Sequence, residues 1–209
     1  MHKGQIEHHL LRSYPKIAGV DEVGRGCLAG PVCAGAVILD YRKLPKLTEK
    51  NRNLIRDSKT LSAKQRGEIL PLIRDELTLA SAVSMVSERE IEDMGIVAAT
   101  FKAMHQALAG LRTPYQFLLV DGHRPLEHHR GPQKSVVRGD HLCYGIAAAS
   151  ILAKEARDQH MRLQSEVYPG YGFESHVGYG TRKHLDALEK LGICQIHRRN
   201  FAPVSRYMA

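Results

Sequence analysis

Two adjacent carboxylates, Asp21 and Glu22, interrupt an otherwise apolar run of small and β-branched residues. The run 17–20 before them predicts a short buried strand, and the run 32–39 predicts a second strand. Ionised groups at the end of a buried strand need a compensating partner, and a metal ion is the natural partner for two carboxylates. The alternative is a strand-end turn with solvated acids. The pair alone favours that alternative, because clustered carboxylates often have structural roles.

A glycine-rich turn follows the two acids. Gly24 and Gly26 flank Arg25, while Gly30 and Pro31 exclude a helix. Glycine permits close backbone approach to a ligand, successive amides in such turns bind anions, and arginine offers a two-pronged donor to phosphate. An acid pair beside such a loop suits a metal-dependent enzyme that acts on phosphodiesters. Simple turn chemistry is the alternative for the glycines alone.

Two further acids stand at predicted boundaries between elements. Asp121 follows the apolar run 117–120, which predicts a central strand buried on both faces. Ligands gather outside strand ends in open α/β sheets, although a turn or cap is the alternative role for this acid. Asp140 precedes an alanine-rich helix predicted over 142–167, where an acid can cap the helix and is stabilised by the helix dipole.

Periodicity, caps and breakers predict the remaining elements. They are helices over 62–77 (kinked at Pro71), 87–94, 96–109 and 182–191, strands over 79–86 and 135–137, loops over 40–59, 123–134 and 168–181, and a frayed or helical segment over 1–15. This order is consistent with a mixed sheet flanked by helices, and periodicity alone allows either the α/β or the α+β class.

The composition limits the possible partners. A chain of 209 residues fits one domain with a substantial core, and its net charge of +8 favours nucleic acid over a membrane. The apolar stretches fall short of the ~20 residues of a membrane span, and MHKGQIEHHL has no apolar signal core. We therefore expect a cytoplasmic protein. The four cysteines and twelve histidines show no recurring zinc-ligand spacing.

Seven ordered sequence blocks resemble ribonuclease HII, the bacterial type 2 ribonuclease H. The blocks are DEVGRG with LAGPV (21–32), DSKTLS (57–62), LLVDG (118–122), GDHLCYGIAAASILAKEARD (139–158), YPGYGF (168–173), HVGYGT (176–181) and IHRRNFAPV (196–204). They follow the family's order and span most of the chain, so we treat the resemblance as specific.

The resemblance implies a ribonuclease H-like α/β fold, with a mixed β-sheet flanked by helices. The whole chain, 1–209, would be one catalytic domain, with a small helical substrate-binding extension over about 169–209. The resemblance also implies four carboxylates that are both catalytic groups and metal ligands: Asp21, Glu22, Asp121 and Asp140. Their hard oxygen atoms suit Mg²⁺ or Mn²⁺, and two such ions can activate water and stabilise a leaving 3′-oxygen.

The implied reaction is endonucleolytic hydrolysis of the RNA strand of RNA–DNA hybrids, leaving 5′-phosphate and 3′-hydroxyl ends. Cleavage 5′ of a single ribonucleotide in duplex DNA is implied as well, with roles in ribonucleotide removal and RNA primer removal. We expect a monomer that binds these duplexes and no membrane. The alternatives are a DNA-directed nuclease of the same fold and a non-catalytic nucleic-acid binder.

The resemblance also implies roles in substrate binding. The backbone of Gly24 and Gly26 would read the 2′-hydroxyl, Arg25 would hold phosphate, and Tyr179 would stack on the next deoxyribose. The candidate phosphate contacts are Ser58, Lys59 and Lys154.

Six positions depart from the family pattern. Cys27 stands where proline is common, Val177 stands where lysine is usual, and smaller or hydroxylated residues are replaced at His141, Cys143, Tyr144 and Gly145. We expect these departures to affect affinity and junction preference but not the class of reaction, because none of the four acids is lost.

Overall fold

A five-stranded sheet in the order β3-β2-β1-β4-β5 forms the centre of the protein. The computed structural model describes residues 2–208. The strands are β1 (Ile17–Val23), β2 (Val32–Leu39), β3 (Thr78–Val86), β4 (Phe117–Asp121) and β5 (Gln133–Val136). The first three strands form an antiparallel meander, whereas β4 pairs parallel to β1 and β5 pairs parallel to β4. The predicted mixed sheet is therefore confirmed.

Helices cover both faces of this sheet. They are α1 (Gln5–Leu10), α2 (Glu49–Leu54), α3 (Ala63–Pro71), α4 (Glu88–Gly110), α5 (Gly139–Leu142), α6 (Tyr144–Val167), α7 (Phe173–His176) and α8 (Arg182–Leu191). The small buried side chains of α4 pack on one face, against alanine and valine side chains of β1 and β2. The helices α3 and α6 cover the other face. None of the helices in residues 2–208 combines the length and apolar character that crossing a lipid bilayer requires.

Two glycines allow α6 to lie unusually close to the sheet. A Cβ atom at Gly35 on β2 would lie 2.3 Å from the carbonyl oxygen of Ala149, and one at Gly19 on β1 would lie 2.4 Å from the carbonyl carbon of Gly145. Because real Cβ atoms do not approach backbone so closely, glycine is required at both positions. The close contact brings the buried face of α6 against the strand that carries the first acid pair.

Several predicted boundaries need correction. The segment 40–59 was predicted as a loop, but it contains α2, which begins after Thr48 because the Thr48 side chain accepts a hydrogen bond from Asn51 N. The helix predicted over 142–167 is divided, because Cys143 adopts an extended conformation between α5 and α6. The helix predicted over 62–77 ends as an α-helix at Pro71 and continues as a π-helix over Leu72–Leu77.

Other boundaries agree with the sequence. Gly95 has φ 79° and breaks α4 at the predicted place, and Ser87 and Glu90 form the predicted capping box. The first fifteen residues contain a real helix, α1, whose Glu7 is buried. Glu7 Oε1 accepts a hydrogen bond from Gly145 N at 3.2 Å, so α1 caps the amino end of α6.

Candidate active site

Parallel pairing of β1 with β4 brings two of the predicted acids together. Val20 lies opposite Val120 in the register, so Asp21 and Asp121 follow at the same edge of the sheet. Asp21 is 5% exposed, and Asp121 is half-buried. Asp21 also accepts a hydrogen bond from Glu22 N at 2.7 Å. The first strand is longer than predicted, and both Asp21 and Glu22 lie within it rather than after it.

Glu22 lies at the mouth of a cleft between β4 and α4. Glu22, Arg25, Asp121, His123 and Arg124 contribute polar groups to the cleft lining. The Glu22 side chain is 16% exposed, and its Oε1 lies 3.4 Å from Arg25 Nη1. A cation therefore lies beside the carboxylate in the lining of the cleft.

Asp140 reaches this site from the short helix α5. Gly139 N donates to Asp121 Oδ1 at 2.7 Å, which ties α5 to the end of β4. Arg138, in a left-handed conformation, is the N-cap residue of α5, so Asp140 lies in the first turn of the helix and is not its cap. Lys3 Nζ donates to the Asp140 carbonyl oxygen at 2.9 Å, so the amino-terminal segment holds this acid in place.

Ser58 and Lys59 are adjacent in the chain but have different environments. Ser58 is 1% exposed, and its hydroxyl lies 2.9 Å from that of Ser150 on α6. The Ser150 hydroxyl lies against the Asp21 carboxylate and lowers its pKa. The predicted contact between the Ser58 side chain and phosphate thus has to be corrected, because this hydroxyl is inside the protein beneath Asp21. Lys59 is exposed, and its charge lowers the pKa of Glu22.

Lys154 and Tyr179 lie next to each other. Lys154 Nζ is 5.8 Å from the centre of the Tyr179 ring and 2.5 Å from Asp158 Oδ1. Asp158 also accepts a hydrogen bond from Arg66 at 3.0 Å, so the Lys154 charge belongs to a buried ion network. Tyr179 is partly exposed, and burial raises its pKa to about 12.

Two of the departures from the family pattern contact each other. Cys27 is fully buried, and its Sγ lies 4.0 Å from the Val177 carbonyl oxygen. Val177 is also buried and has φ 44°, a conformation that is strained for a β-branched residue. The valine side chain is therefore part of the core beneath the loop.

The chain matches a known protein family over most of its length. A sequence profile of the family described as Ribonuclease HII matches residues 18–204. The chain belongs to the ribonuclease HII family. It is 48% identical over 197 residues to a protein named Ribonuclease HII from Prochlorococcus marinus (strain MIT 9313), which covers 94% of this chain and 88% of that protein.

Solved structures agree on the fold. The crystal structure of the ribonuclease H2 from Pyrococcus horikoshii OT3 superimposes with a TM-score of 0.74 at 24% identity, covering 92% of this chain and 96% of that one. A structure of Bst-RNase HIII in complex with Mn²⁺ has a TM-score of 0.65 at 18% identity, covering 92% of this chain and 68% of that one. The ribonuclease H-like α/β fold is thus confirmed.

Ribonucleases of this family depend on metal ions, and the electrostatics of the site fit a divalent cation. Burial raises the pKa of Asp21 well above its usual value, and the carboxylates of Glu22, Asp121 and Asp140 raise it further. Burial likewise raises the pKa of Glu22, against the effect of Arg25. The pKa of Asp140 is raised by burial and then by Asp121. A divalent cation would relieve this repulsion, which is the electrostatic property expected of a metal site.

One neighbour of these acids was not predicted from the sequence. Asp57, Asp140 and His141 bring one ligand-type atom each within 4.8 Å of one another, whereas Asp21, Glu22 and Asp121 form no such trio within residues 2–208. Asp57 lies in the DSKTLS block, and nothing local in the sequence indicates that its side chain lies close to the fourth acid.

Proposed function

We propose that this chain hydrolyses the RNA strand of RNA–DNA hybrids and cuts duplex DNA 5′ of a single embedded ribonucleotide. The observation that carries the proposal is the proximity of the four acids at one end of β1 and β4, where burial and then neighbouring carboxylates raise the pKa of Asp21 and Asp140, and burial raises that of Glu22. A cation bound between acids in such an arrangement would stabilise their charged forms. Membership of the ribonuclease HII family supports the substrate.

Asp21, Glu22, Asp121 and Asp140 would hold the metal, with Mg²⁺ or Mn²⁺ as the ion because all four offer hard oxygen ligands. The Mn²⁺ complex of Bst-RNase HIII supports the same choice. Divalent ions held there would supply an activated water and would neutralise charge on the leaving 3′-oxygen. Cleavage would leave 5′-phosphate and 3′-hydroxyl ends.

The surrounding residues would position the duplex. The Arg25 side chain is 49% exposed and can reach a phosphate, which it would hold with Lys59. The exposed turn at Gly26 would read the 2′-hydroxyl. Tyr179 would stack on the sugar of the following deoxynucleotide, with Lys154 behind its ring.

The same proposal includes the domain organisation of the chain. The segment 169–208, which carries Tyr179, would be a substrate-binding extension of a single catalytic domain. The monomeric state and the cytoplasmic location, both expected from the sequence, stay predictions.

Three duplexes test the reaction: an RNA–DNA hybrid, an all-DNA duplex and a DNA duplex with one ribonucleotide, each incubated with Mg²⁺ or Mn²⁺. We expect cleavage of the first and third only, with the cut 5′ of the single ribonucleotide. Cleavage of the all-DNA duplex would support a DNA-directed nuclease. Binding of all three without any cleavage would support a non-catalytic binder.

A substitution tests the site itself. Asp21→Asn should abolish turnover while hybrid binding persists, because the amide is a poorer ligand for a divalent cation but has nearly the same shape. Asp75→Asn is the matched control, since Asp75 is exposed and pairs only with Arg74. Substantial residual cleavage by the Asp21 variant would show that this acid is not a catalytic ligand.

A further inference from the structure

A buried arginine from the carboxy-terminal segment lies beneath the glycine-rich turn. Arg198 is 0% exposed. Its Nη2 donates to Gly24 O and to Gly30 O, both at 2.7 Å. Its Nη1 donates to Arg25 O at 2.9 Å, and its Nε donates to Gly30 O at 2.9 Å. Every nitrogen of the Arg198 guanidinium therefore donates a hydrogen bond to a backbone carbonyl oxygen of the glycine-rich turn.

The directions of these carbonyls fix the directions of the neighbouring amides. In a trans peptide unit, the C=O and the following N–H point in opposite directions. The one cis peptide bond within residues 2–208 precedes Pro203, so the units after Gly24 and Arg25 are trans. Because both carbonyls point inward to Arg198, the N–H groups of Arg25 and Gly26 point outward.

These two amides are free to meet a ligand. Arg25 and Gly26 are exposed, and a Cβ atom at Gly26 would meet nothing within 4 Å. Among the hydrogen bonds formed within residues 2–208, none is donated by either amide, whereas the next amide, Cys27 N, donates to Gly24 O at 3.3 Å. The turn thus presents two adjacent donors to solvent beside the acids.

A second buried arginine holds the other side of the turn. Arg157 is 0% exposed and donates to Ala29 O, Pro31 O and Val177 O at 2.7–3.0 Å. Gly24 has φ 90°, and a Cβ atom there would lie 2.3 Å from Arg157 Nε. Within the described part of the chain, neither arginine has a carboxylate oxygen within salt-bridge distance. A buried guanidinium that lacks a salt-bridge partner is stable only if its donors stay hydrogen-bonded, so the two arginines resist any rotation of these carbonyls.

We propose that Arg198 is a positioning residue for ribose recognition, which holds the Gly24 and Arg25 carbonyls inward so that the amides of Arg25 and Gly26 face the 2′-hydroxyl of the ribonucleotide. The inference rests on the proposed function and adds to it the residue that fixes the recognition turn. Arg198 itself touches no substrate, since its guanidinium is enclosed by the turn. The carboxy-terminal segment thereby controls a loop more than 160 positions earlier in the chain.

Binding without turnover tests this inference. Fluorescence anisotropy in Ca²⁺ measures the dissociation constants for a DNA duplex with one ribonucleotide and for the matching all-DNA duplex. We expect the wild-type protein to prefer the first by about tenfold, since two hydrogen bonds to one hydroxyl contribute on that order. Arg198→Lys and Arg198→Met should bring this ratio close to one, because neither side chain can hold the Gly24 and Arg25 carbonyls together.

The adjacent arginine is the matched control. Arg199 is exposed, so Arg199→Met removes the same charge without touching the turn. It should weaken binding of both duplexes equally and leave the ratio unchanged. Arg198→Lys keeps the buried charge, and it remains informative if Arg198→Met does not fold.

The outcomes separate the two proposals. If both Arg198 variants are folded and keep the wild-type ratio, Arg198 has only a structural role and the inference is wrong. A wild-type protein that cleaves the hybrid but binds both duplexes equally also overturns the inference. A wild-type protein that cleaves neither ribonucleotide-containing duplex refutes the proposed function, and the inference with it.

Discussion

Replacing Gly35 with alanine should force α6 away from the sheet at the level of the acids. Gly35 pairs with Asp21 across β1 and β2. The new Cβ atom would lie 2.3 Å from Ala149 O, 3.1 Å from Ala149 C and 3.2 Å from Ala153 N. All three atoms belong to helix backbone, so no side-chain rotation can relieve the contact. Restoring an ordinary separation requires α6 to move by about 1 Å.

The expected cost follows from this geometry. Overpacking a well-packed core typically costs about 1–3 kcal/mol, and a backbone obstacle places this variant at about 2–3 kcal/mol. For a chain of this size, each kcal/mol lowers Tm by about 2–4 °C, so the expected decrease is about 4–12 °C. Activity should fall further than stability. Ser150 follows Ala149 on α6 and lies against Asp21, and a 1 Å displacement of a catalytic group can cost on the order of a hundredfold.

Gly67→Ala provides the control. Gly67 lies exposed in α3, and a Cβ atom there would meet nothing within 4 Å. Alanine should stabilise this helix by about 0.5–1 kcal/mol and leave cleavage unchanged. Thermal unfolding followed by circular dichroism, together with steady-state cleavage of a hybrid, compares the two variants. If Gly35→Ala melts at the wild-type temperature with wild-type kcat, the close packing of α6 on β2 does not position the site.

Three other predictions concern separate parts of the molecule. Tyr179→Ala should lose the preference for a ribonucleotide-to-deoxyribonucleotide junction, and an unchanged preference in a cleavage panel would remove Tyr179 from that role. Glu7→Ala should lower the free energy of unfolding by about 1–2 kcal/mol because α6 loses its cap, whereas Glu7→Gln should retain most of it; equal losses in urea titrations would contradict this reasoning. Burial lowers the pKa of His184 and of His197 to about 4, compared with 6.5 in the unfolded chain. The unfolded chain then binds more protons than the folded chain between those values. Lowering the pH from 6.5 towards 4 should therefore reduce the free energy of unfolding by about 3 kcal/mol for each histidine. Histidine ring NMR signals that titrate near 6.5 in the folded protein would refute that prediction.

The strands could be predicted because their signals are local, and local signals marked Asp21, Glu22 and Asp121 as candidates, whereas the full set of four acids was implied by the resemblance to ribonuclease HII. A carboxylate in an apolar run and a DG pair after a buried strand can be recognised without knowing the fold. The division between α5 and α6 could not be predicted, because Cys143 is neither glycine nor proline and the alanine-rich pattern continues beyond it. In contrast, the start of α2 does have a sequence signal, the N-cap residue Thr48. The many charged residues around it favoured the prediction of a loop instead.

The contacts that position the site could not be predicted, because they join distant parts of the chain. Nothing in the sequence around Ser150 indicates that its side chain lies against Asp21. Likewise, the sequence His197-Arg198-Arg199 does not show which of the two arginines is buried. Arg198 and Arg199 look equivalent in sequence, yet one is enclosed by the glycine-rich turn and the other is exposed. The difference depends on how the carboxy-terminal segment crosses the loop, through the pairing of Ala29 with His197.

The amino-terminal segment also offsets part of the electrostatic cost of the site. Four acids at one sheet edge repel each other whenever no ion is bound, so cations must stabilise the fold during that time. Lys3 supplies one, because its Nζ contacts the Asp140 carbonyl and remains mainly protonated at neutral pH, although burial lowers its pKa to about 8. Arg25 and Lys59 supply others, since their charges lower the pKa of Glu22. The matched family region, 18–204, includes Arg25 and Lys59 but not Lys3. The cation that contacts Asp140, Lys3, therefore lies outside the family match. Loss of the Lys3 side chain should destabilise Asp140 more than Asp21.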